Sequence, residues 1–360
     1  MRTLGVIVEY NPFHFGHARH LANAKKVCGC DRIVAVMSGN FVQRGESAIC
    51  DKWRRTQMAL EAGVDLVIEL PLYYATGSAG YFAKGAVGLL EKSGIIDCMC
   101  FGSEWADIDA LKACAKAVLN EDEAFKARLQ TNLRLGMSYP SARAKASETA
   151  LPDAANNVLG VEYIKSLMEL NSKIEPYTVP RSPISAKDIR AELRAFDFNL
   201  SDLDNLSSIF HYILRTHTDL SSFVDVSDDL ANRLKQFSKG NMLISEIIAA
   251  AKTKNYTYLR LQRAVLHMIL GITKNNLAEY ESTGGAQYIR ILGFRKSKAE
   301  LLKLLETKAT LPIITNLKNS KLDGLAARML EEELRATGVY SLAFPHNAHF
   351  NEYQMPLVVI

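Results

Sequence analysis

The segment EYNPFHFGH at residues 9–17 constrains the fold and the chemistry of this chain most strongly. It follows an apolar run at residues 4–8 and precedes a helical pattern at residues 18–27, so His14 and His17 lie where a first strand turns into a first helix. Such a turn presents unpaired backbone N–H groups and the positive end of a helix dipole, which attract anions. Two imidazoles add donors for phosphate oxygens, and Gly16 allows a phosphate to approach the backbone. The sequence therefore predicts a phosphate-binding turn; the alternative is a proline-containing connection with two incidental surface histidines.

The first half of the chain alternates between strand-like and helix-like segments. Apolar runs at residues 4–9, 33–37, 66–70 and 98–101 are separated by helical patterns at residues 16–27, 52–62 and 79–92. This alternation predicts an α/β fold with a doubly wound, Rossmann-like parallel sheet. Because ligands of such sheets bind at the carboxyl ends of the strands, we expect the functional site there.

The second half follows a helical period, with an amphipathic helix at residues 259–272. A chain of 360 residues is long enough for about two domains. We expect residues 1–195 to form a nucleotide-binding domain and residues 196–360 to form a mostly helical, basic domain.

Charge is unevenly distributed along the chain. The net charge is only +4, but residues 231–320 contain fifteen Lys and Arg against five Asp and Glu. This excess favours an anionic partner larger than a nucleotide, and RNA is the first candidate. A solvated helical surface is the alternative explanation.

Several classes of protein are excluded or disfavoured by the sequence. It contains no P-loop, no G-x-S-x-G elbow and no zinc-deaminase signature. Without an uncharged apolar run of about 20 residues, no membrane span is expected. The N-terminus lacks the zones of a signal peptide, so we expect a cytoplasmic protein. The two C-x-C pairs lack the spacing usual in zinc sites, which predicts reduced, packed thiols and no metal site.

Further polar residues follow other predicted strands. Arg44, in the loop SGNFVQRGE, and Lys52 at the next helix start are candidates for a pyrophosphate site. Gly102 follows the fourth strand and leaves room for a ribose or an adenine. In the motif at residues 184–190, Ser185 caps a helix that carries Arg190, which predicts a second anion site. Each of these signals is weak alone, since solvated loops and ordinary helix caps look the same.

The combination of these motifs resembles a known family. HxGH at a first strand–helix turn, with a late I-S-x-x-x-I-R, is similar to the signature of the HIGH-type nucleotidyltransferase superfamily. The chain more closely resembles the bacterial tRNA(Met) cytidine acetate ligases, through blocks that occur in the order EYNPFHFGH, AVMSGNFVQRGESA, KWRRTQMALEAGVDLVIELP, FGSE, NNVLGVEYI, RLQRAVLHMILGITK and YIRILGF. Only Ser182 and Pro183 separate Arg181 from the late motif, a shorter segment than is usual in that family.

This resemblance implies an ATP-dependent ligase. Such an enzyme converts acetate to acetyl-adenylate and acetylates the exocyclic amine of the wobble cytidine in the anticodon loop of elongator tRNA(Met). The ATP-contacting residues implied by the resemblance are Ile7, Val8, Glu9, Tyr10, Asn11, Pro12, Phe13, His14, Phe15, Gly16, His17, Ala18, Arg19, His20, Gly102, Asn156 and Arg181. The resemblance places one of these contacts at Asn156, and the adjacent Asn157 is the alternative.

The chemistry of adenylation suits these residues. Attack by a carboxylate on the α-phosphate builds negative charge on the phosphate oxygens and on the leaving pyrophosphate, so positioned donors are required. We therefore assign catalytic roles to His14, His17, Lys52 and Arg190. Mg²⁺ is expected with ATP, although the sequence indicates no protein ligand for it.

Two other functions remain open from the sequence alone. One is an adenylyltransferase that acts on a small metabolite, which would share HxGH but has no evident use for a basic helical half. The other is a non-catalytic nucleotide-sensing or RNA-binding protein.

Overall fold

The computed structural model describes residues 1–120, 123–137, 142, 145–146, 152–184, 186–197, 199–346 and 348–360. The strands in the described part of the chain are β1 (Thr3–Val8), β2 (Arg32–Ser38), β3 (Phe41–Val42), β4 (Glu46–Ser47), β5 (Leu66–Leu70), β6 (Cys98–Ser103), β7 (Glu175–Pro180), β8 (Ile289–Phe294), β9 (Ile313–Ile314) and β10 (Val358–Val359).

The α-helices in the described part of the chain fall into two groups. Those of the first half are α1 (Phe15–Cys28), α2 (Lys52–Glu61), α3 (Leu72–Ala75), α4 (Ala79–Ser93), α5 (Ile108–Leu119), α6 (Glu123–Arg134), α7 (Ala155–Glu169) and α8 (Ala186–Phe196). Those of the second half are α9 (Ser207–Thr216), α10 (Asp228–Lys235), α11 (Ile244–Ala251), α12 (Tyr258–Leu270), α13 (Lys274–Ser282), α14 (Glu300–Lys308) and α15 (Gly324–Leu342).

The central sheet has the strand order β10-β8-β5-β2-β1-β6-β7, with β9 paired to β8. Strands β5, β2, β1, β6 and β7 are mutually parallel, which confirms the predicted doubly wound α/β fold. β3 and β4 form a separate two-stranded hairpin in the loop after β2. The carboxyl ends of β1 and β2 are adjacent at the centre of the sheet, so the loops that follow them meet at one edge.

The second half of the chain also contributes to this sheet. β8 runs antiparallel to β5, and β9 and β10 pair with β8. The mostly helical second half therefore also supplies strands, because the apolar run at residues 289–294 is buried against the edge of β5. The sheet draws strands from both 1–195 and 196–360, and the boundary between these ranges remains a prediction.

The two faces of the sheet are covered differently. One face packs against α1 and α2 in a smaller core, to which Leu4, Leu21 and Leu60 belong. The other face packs against α4 and α7, and its core continues without a break into the helical second half. The helical part therefore buries the sheet instead of standing apart from it.

The cysteines agree with the sequence-based expectation of reduced thiols. All six are free, and Cys28, Cys30, Cys98 and Cys100 are buried in the core between α1 and the sheet. Among the described residues, no helix is long and apolar enough to cross a membrane.

Candidate active site

Helix α1 is capped at its N-terminus by His14. The backbone of His14 is extended, and its Nδ1 accepts a hydrogen bond from the N–H of Gly16 at 3.0 Å. Nδ1 of His17 in turn accepts from the N–H of His14 at 3.3 Å. The two rings stack with centroids 3.7 Å apart and planes at 27°. This reciprocal capping box fixes both imidazoles at the N-terminus of the helix.

Both imidazoles are neutral at physiological pH. Burial lowers the pKa of His17 to about 3, with a further contribution from His14 and His20. Burial also lowers the pKa of His14. A neutral imidazole carries one proton, and since each Nδ1 accepts a hydrogen bond, we assign that proton to Nε2. Each ring therefore offers one N–H donor beside the positive end of the helix dipole.

Gly16 is required by the close packing at this turn. A methyl group on its α-carbon would lie 2.8 Å from Cε1 of His14 and 2.9 Å from Oγ of Ser182. Both contacts are shorter than van der Waals separation allows. The HxGH turn therefore lies directly against the segment that follows β7.

The remaining residues of the turn support the two histidines. The Tyr10 and Phe13 rings lie against His17, with centroids 4.9 and 5.6 Å away. Ile7 and Val8 belong to β1, and Ala18 and Arg19 belong to α1. Phe15 differs from its neighbours because it is 73% exposed. Of the predicted stretch, Phe15 and Arg19 are the exposed side chains.

Arg190 lies beside this turn from the side of α8. It is 8% exposed; one terminal nitrogen donates to the carbonyl of Asn11 at 2.8 Å, and the other pairs with Glu46 at 3.2 Å. The Asn11 side chain accepts from the N–H of Ile49 at 2.8 Å. Arg190 thus links α8, the first loop and the β3–β4 hairpin. A direct contact of Arg190 with pyrophosphate remains a prediction, and Ser185 lies outside the described residues.

A small cavity opens next to the HxGH turn. It measures about 120 Å³ and is lined by Gly16, Arg19, His20, Asn23, Pro180, Arg181, Ser182 and Pro183. Gly102 borders the same region, because a methyl group there would lie 3.8 Å from His20 and 3.7 Å from Arg181. Nε2 of His20 is buried without a hydrogen-bond partner, and burial lowers the His20 pKa to about 4. The structure therefore brings the predicted residues Gly102, His20 and Arg181 together.

Glu104 connects this cavity to α7. Its Oε1 accepts from the side chain of Asn156 at 2.7 Å and lies 3.5 Å from the Arg181 guanidinium. Asn157 is fully buried instead, and its Oδ1 accepts the N–H groups of Glu104 and Trp105 at 2.9 and 3.1 Å. Asn156 is thus the asparagine whose side chain reaches the site, while Asn157 shapes the loop after β6. The sequence analysis did not predict a role for Glu104. Its position directly after the end of β6 was the signal that could have identified it.

Lys52 does not reach this site, and its predicted catalytic role is corrected. Its ammonium is completely buried and pairs with Oε1 of Glu69 at 2.5 Å and with Oε1 of Glu352 at 2.7 Å. A cation enclosed by two carboxylates has no open side for a nucleotide. Arg44, in contrast, is exposed at the tip of the β3–β4 hairpin and stays a candidate.

No candidate metal centre is found in the described part of the chain, where no three His, Cys, Asp or Glu side chains are grouped suitably. The donors at the site are imidazoles, backbone N–H groups and arginines. These groups suit an anion.

Comparisons with known proteins agree with this geometry. A family model described as HIGH Nucleotidyl Transferase matches residues 1–199 and 184–355. The chain is 38% identical to the tRNA(Met) cytidine acetate ligase of Thermoanaerobacter sp. (strain X514), over 97% of both chains. It is 37% identical to the protein of the same name from Clostridium perfringens (strain ATCC 13124), over 96% of both.

Solved structures show the same likeness. The crystal structure of Thermotoga maritima TmcAL bound with alpha-thio ATP superposes with a TM-score of 0.92 and 31% identity, over 100% of both chains. The apo form of that protein gives a TM-score of 0.93 at 30% identity. Family model, relatives and fold agree over nearly the whole length, and the chain therefore belongs to the tRNA(Met) cytidine acetate ligase family of HIGH nucleotidyltransferases.

Proposed function

We propose that this protein is an ATP-dependent ligase that activates acetate as acetyl-adenylate and transfers the acetyl group to a cytidine of tRNA(Met). The target is the exocyclic amine of the wobble cytidine in elongator tRNA(Met). One observation carries the proposal: His14 and His17 stack at the N-terminus of α1 with both Nδ1 atoms occupied, so that their Nε2 donors are left for phosphate oxygens.

The residues around the HxGH turn suit ATP. Two neutral imidazole donors and a helix N-terminus favour the triphosphate, and Gly16 also lines the cavity beside them. The cavity beside His20 and Gly102 has the character of a nucleoside pocket, because the buried Nε2 of His20 lacks a partner that a ribose or base would supply. The crystal structure of the Thermotoga maritima relative contains bound alpha-thio ATP, which supports the choice of ATP as the ligand.

The first step is adenylation of acetate. A carboxylate oxygen attacks the α-phosphorus, the bond to the β-phosphate oxygen breaks, and pyrophosphate leaves. His14 and His17 donate to the oxygens on which charge accumulates, and neutral donors suit this role because they need not give up a proton. Mg²⁺ is proposed to accompany ATP and to neutralise pyrophosphate charge.

The second step is transfer of the acetyl group. The cytidine amine attacks the carbonyl carbon of acetyl-adenylate, AMP leaves, and the amine loses a proton to solvent. The amine is a weak nucleophile because its lone pair is delocalised into the ring, so a mixed anhydride is a suitable donor. An anticodon-loop base is already unpaired, which lowers the cost of entering a pocket.

The basic second half is proposed to hold the tRNA. Nine lysines of residues 231–320 are exposed: Lys235, Lys239, Lys252, Lys254, Lys274, Lys296, Lys303, Lys308 and Lys318. Contacts of such side chains to phosphates release counterions, so tRNA affinity should fall steeply with salt. A filter-binding assay across a salt series measures this. An adenylyltransferase for a small metabolite would show no tRNA affinity even at low salt.

Mass spectrometry of nucleosides tests the complete reaction. Unmodified tRNA(Met) is incubated with the protein, ATP, Mg²⁺ and isotope-labelled acetate, then digested. The proposal expects labelled acetylcytidine at the wobble position and none when ATP is omitted. Unlabelled tRNA, from folded protein that binds both ATP and tRNA, would refute it.

A further inference from the structure

Arg55 is a completely buried cation at the edge of the sheet where the nucleotide is proposed to bind. It lies within α2, and its whole side chain is inaccessible to solvent. Nε donates to the carbonyl of Cys50 at 3.0 Å, and one terminal nitrogen donates to the carbonyls of Glu9 at 2.7 Å and Ser38 at 3.0 Å. The other terminal nitrogen donates to the carbonyl of Gly39. One guanidinium thus gathers four main-chain carbonyls.

Three of these carbonyls, those of Glu9, Ser38 and Gly39, lie where β1 and β2 lead into the loops that carry the sequence motifs. Glu9 is the first residue after β1 and leads into the HxGH turn, and Gly39 is the first residue after β2, within the segment SGNFVQRGE. In a trans peptide the N–H points away from the preceding C=O, and the peptide bonds concerned are trans. The N–H groups of Tyr10, Gly39 and Asn40 are therefore turned away from Arg55 and α2. Arg55 fixes the orientation of the peptide units from which the two loops start.

Arg55 is surrounded by main-chain carbonyls and, in the part of the chain that the structure describes, forms no ion pair with an acid. Among the described residues, no carboxylate lies within ion-pair distance of its guanidinium, whereas Lys52, one turn earlier, contacts both Glu69 and Glu352. Carbonyl dipoles stabilise a buried cation but leave its net charge in place. In a medium of low polarity that charge acts over longer distances than in water. An anion at the carboxyl ends of β1 and β2 would experience this attraction.

We infer that Arg55 is a positioning residue for the triphosphate: it aligns the two loops from beneath and supplies buried positive charge at the edge where the phosphates lie. The inference rests on the proposed ATP site. The effect of the Arg55 charge on ligand binding should depend on how many phosphates the ligand carries. An effect of Arg55 on loop packing alone should not.

The test compares ligands of different charge. Affinities for ATP and for uncharged adenosine are measured by titration calorimetry on wild type, Arg55→Gln and Arg55→Lys, with Arg54→Gln as the matched control. Arg54 is the neighbouring residue on α2 and is exposed. We expect Arg55→Gln to weaken ATP binding by about tenfold or more while adenosine changes by less than about threefold. Arg54→Gln should change neither by more than about threefold, because an exposed charge is screened.

Arg55→Lys keeps the inference testable if Arg55→Gln does not fold. Lysine retains the charge but has three donors instead of five, so the preference for ATP over adenosine should persist while the rate of acetate-dependent pyrophosphate exchange falls. Equal losses for ATP and adenosine, or an Arg55→Lys variant with wild-type exchange, would overturn the inference. Failure of the wild type to bind ATP would instead refute the proposed function, so the two failures are distinct.

Discussion

Lys52 and Glu352 lie 300 positions apart in the chain and form a buried ion pair, with Nζ 2.7 Å from Oε1. Glu69 contacts the same ammonium, and Arg290 contacts both carboxylates. The C-terminal segment is thereby attached to β5, β8 and α2. The cluster stabilises the fold at the sheet edge, where sequence reasoning had placed a catalytic lysine.

Removing one charge from this cluster should be costly. Glu352→Gln leaves Lys52 and Arg290 buried with one acid fewer, and loss of one partner of a buried pair typically costs about 3–5 kcal/mol. The two cations hold the pKa of Glu352 below its usual range, although burial opposes this. We expect the free energy of unfolding in urea at pH 7 to fall by about that amount.

Glu333 provides the matched control. It is buried in the same region, but burial and Glu69 raise the pKa of its carboxyl. A raised carboxyl pKa means that the folded state binds the proton more tightly than the unfolded chain does. The contribution of Glu333 to the stability of the protein is therefore lost as pH rises above 4.5, the ordinary pKa of this carboxyl. Glu333→Gln mimics the protonated form and should leave stability at pH 7 unchanged or higher. A loss equal to that of Glu352→Gln would contradict this account of the cluster.

The histidines of α1 predict a stability change in acid. The pKa of His17 is lowered to about 3 and that of His20 to about 4, both from 6.5, mainly by burial. The unfolded chain therefore binds more protons below pH 6.5, and stability should fall as pH drops from there toward 4. Thermal unfolding between pH 7.5 and about 4.5 measures the slope. The double variant His17→Asn, His20→Asn should show a shallower slope; an unchanged slope would refute the assignment.

Gly45 predicts how closely the β3–β4 hairpin contacts the helical half. A methyl group there would lie 2.6 Å from the backbone nitrogen of Arg263 in α12, and φ is +79°. Gly45→Ala adds overpacking of about 1–3 kcal/mol to the backbone strain. Gly29→Ala is the control, because φ is +58° but nothing lies within 4 Å. Gly29→Ala should lose about 1 kcal/mol through strain alone. Equal losses in urea unfolding would show that the contact with α12 is loose.

Substitutions of the two neighbouring asparagines of α7 should have different effects on ATP binding and on protein stability. Asn157→Ala removes the buried acceptor of two partly buried hydrogen bonds, at about 1 kcal/mol each, so the midpoint of thermal unfolding should drop. Asn156→Ala removes a partly exposed amide and should cost less than about 0.5 kcal/mol of stability while weakening ATP binding. The reverse pattern would mean that Asn157 is the ligand-facing residue.

Local patterns in the sequence predicted the first half of the fold well. Strands β1, β2, β5 and β6 and helices α1, α2 and α4 are found within a few residues of their predicted bounds, because apolar periodicity and capping residues are local signals. The same signals placed His14 and His17 between the first strand and the first helix.

Long-range contacts could not be predicted in this way. Lys52 looked accessible at a helix start, and its partners lie 17 and 300 residues away. The carbonyls gathered by Arg55 come from separate loops, so no spacing in the sequence indicates them. β8 follows a long helical region and joins the sheet antiparallel, which no connection rule for alternating elements predicts.

Acetate-dependent exchange of labelled pyrophosphate into ATP tests the central claim most directly, because it reports adenylation at the HxGH turn without tRNA. The account predicts exchange by the wild type only when acetate and Mg²⁺ are present. In His17→Ala the exchange rate should fall by about a hundredfold or more, because one positioned donor is lost. No exchange by folded wild type, or a His17→Ala variant with full exchange, would contradict it.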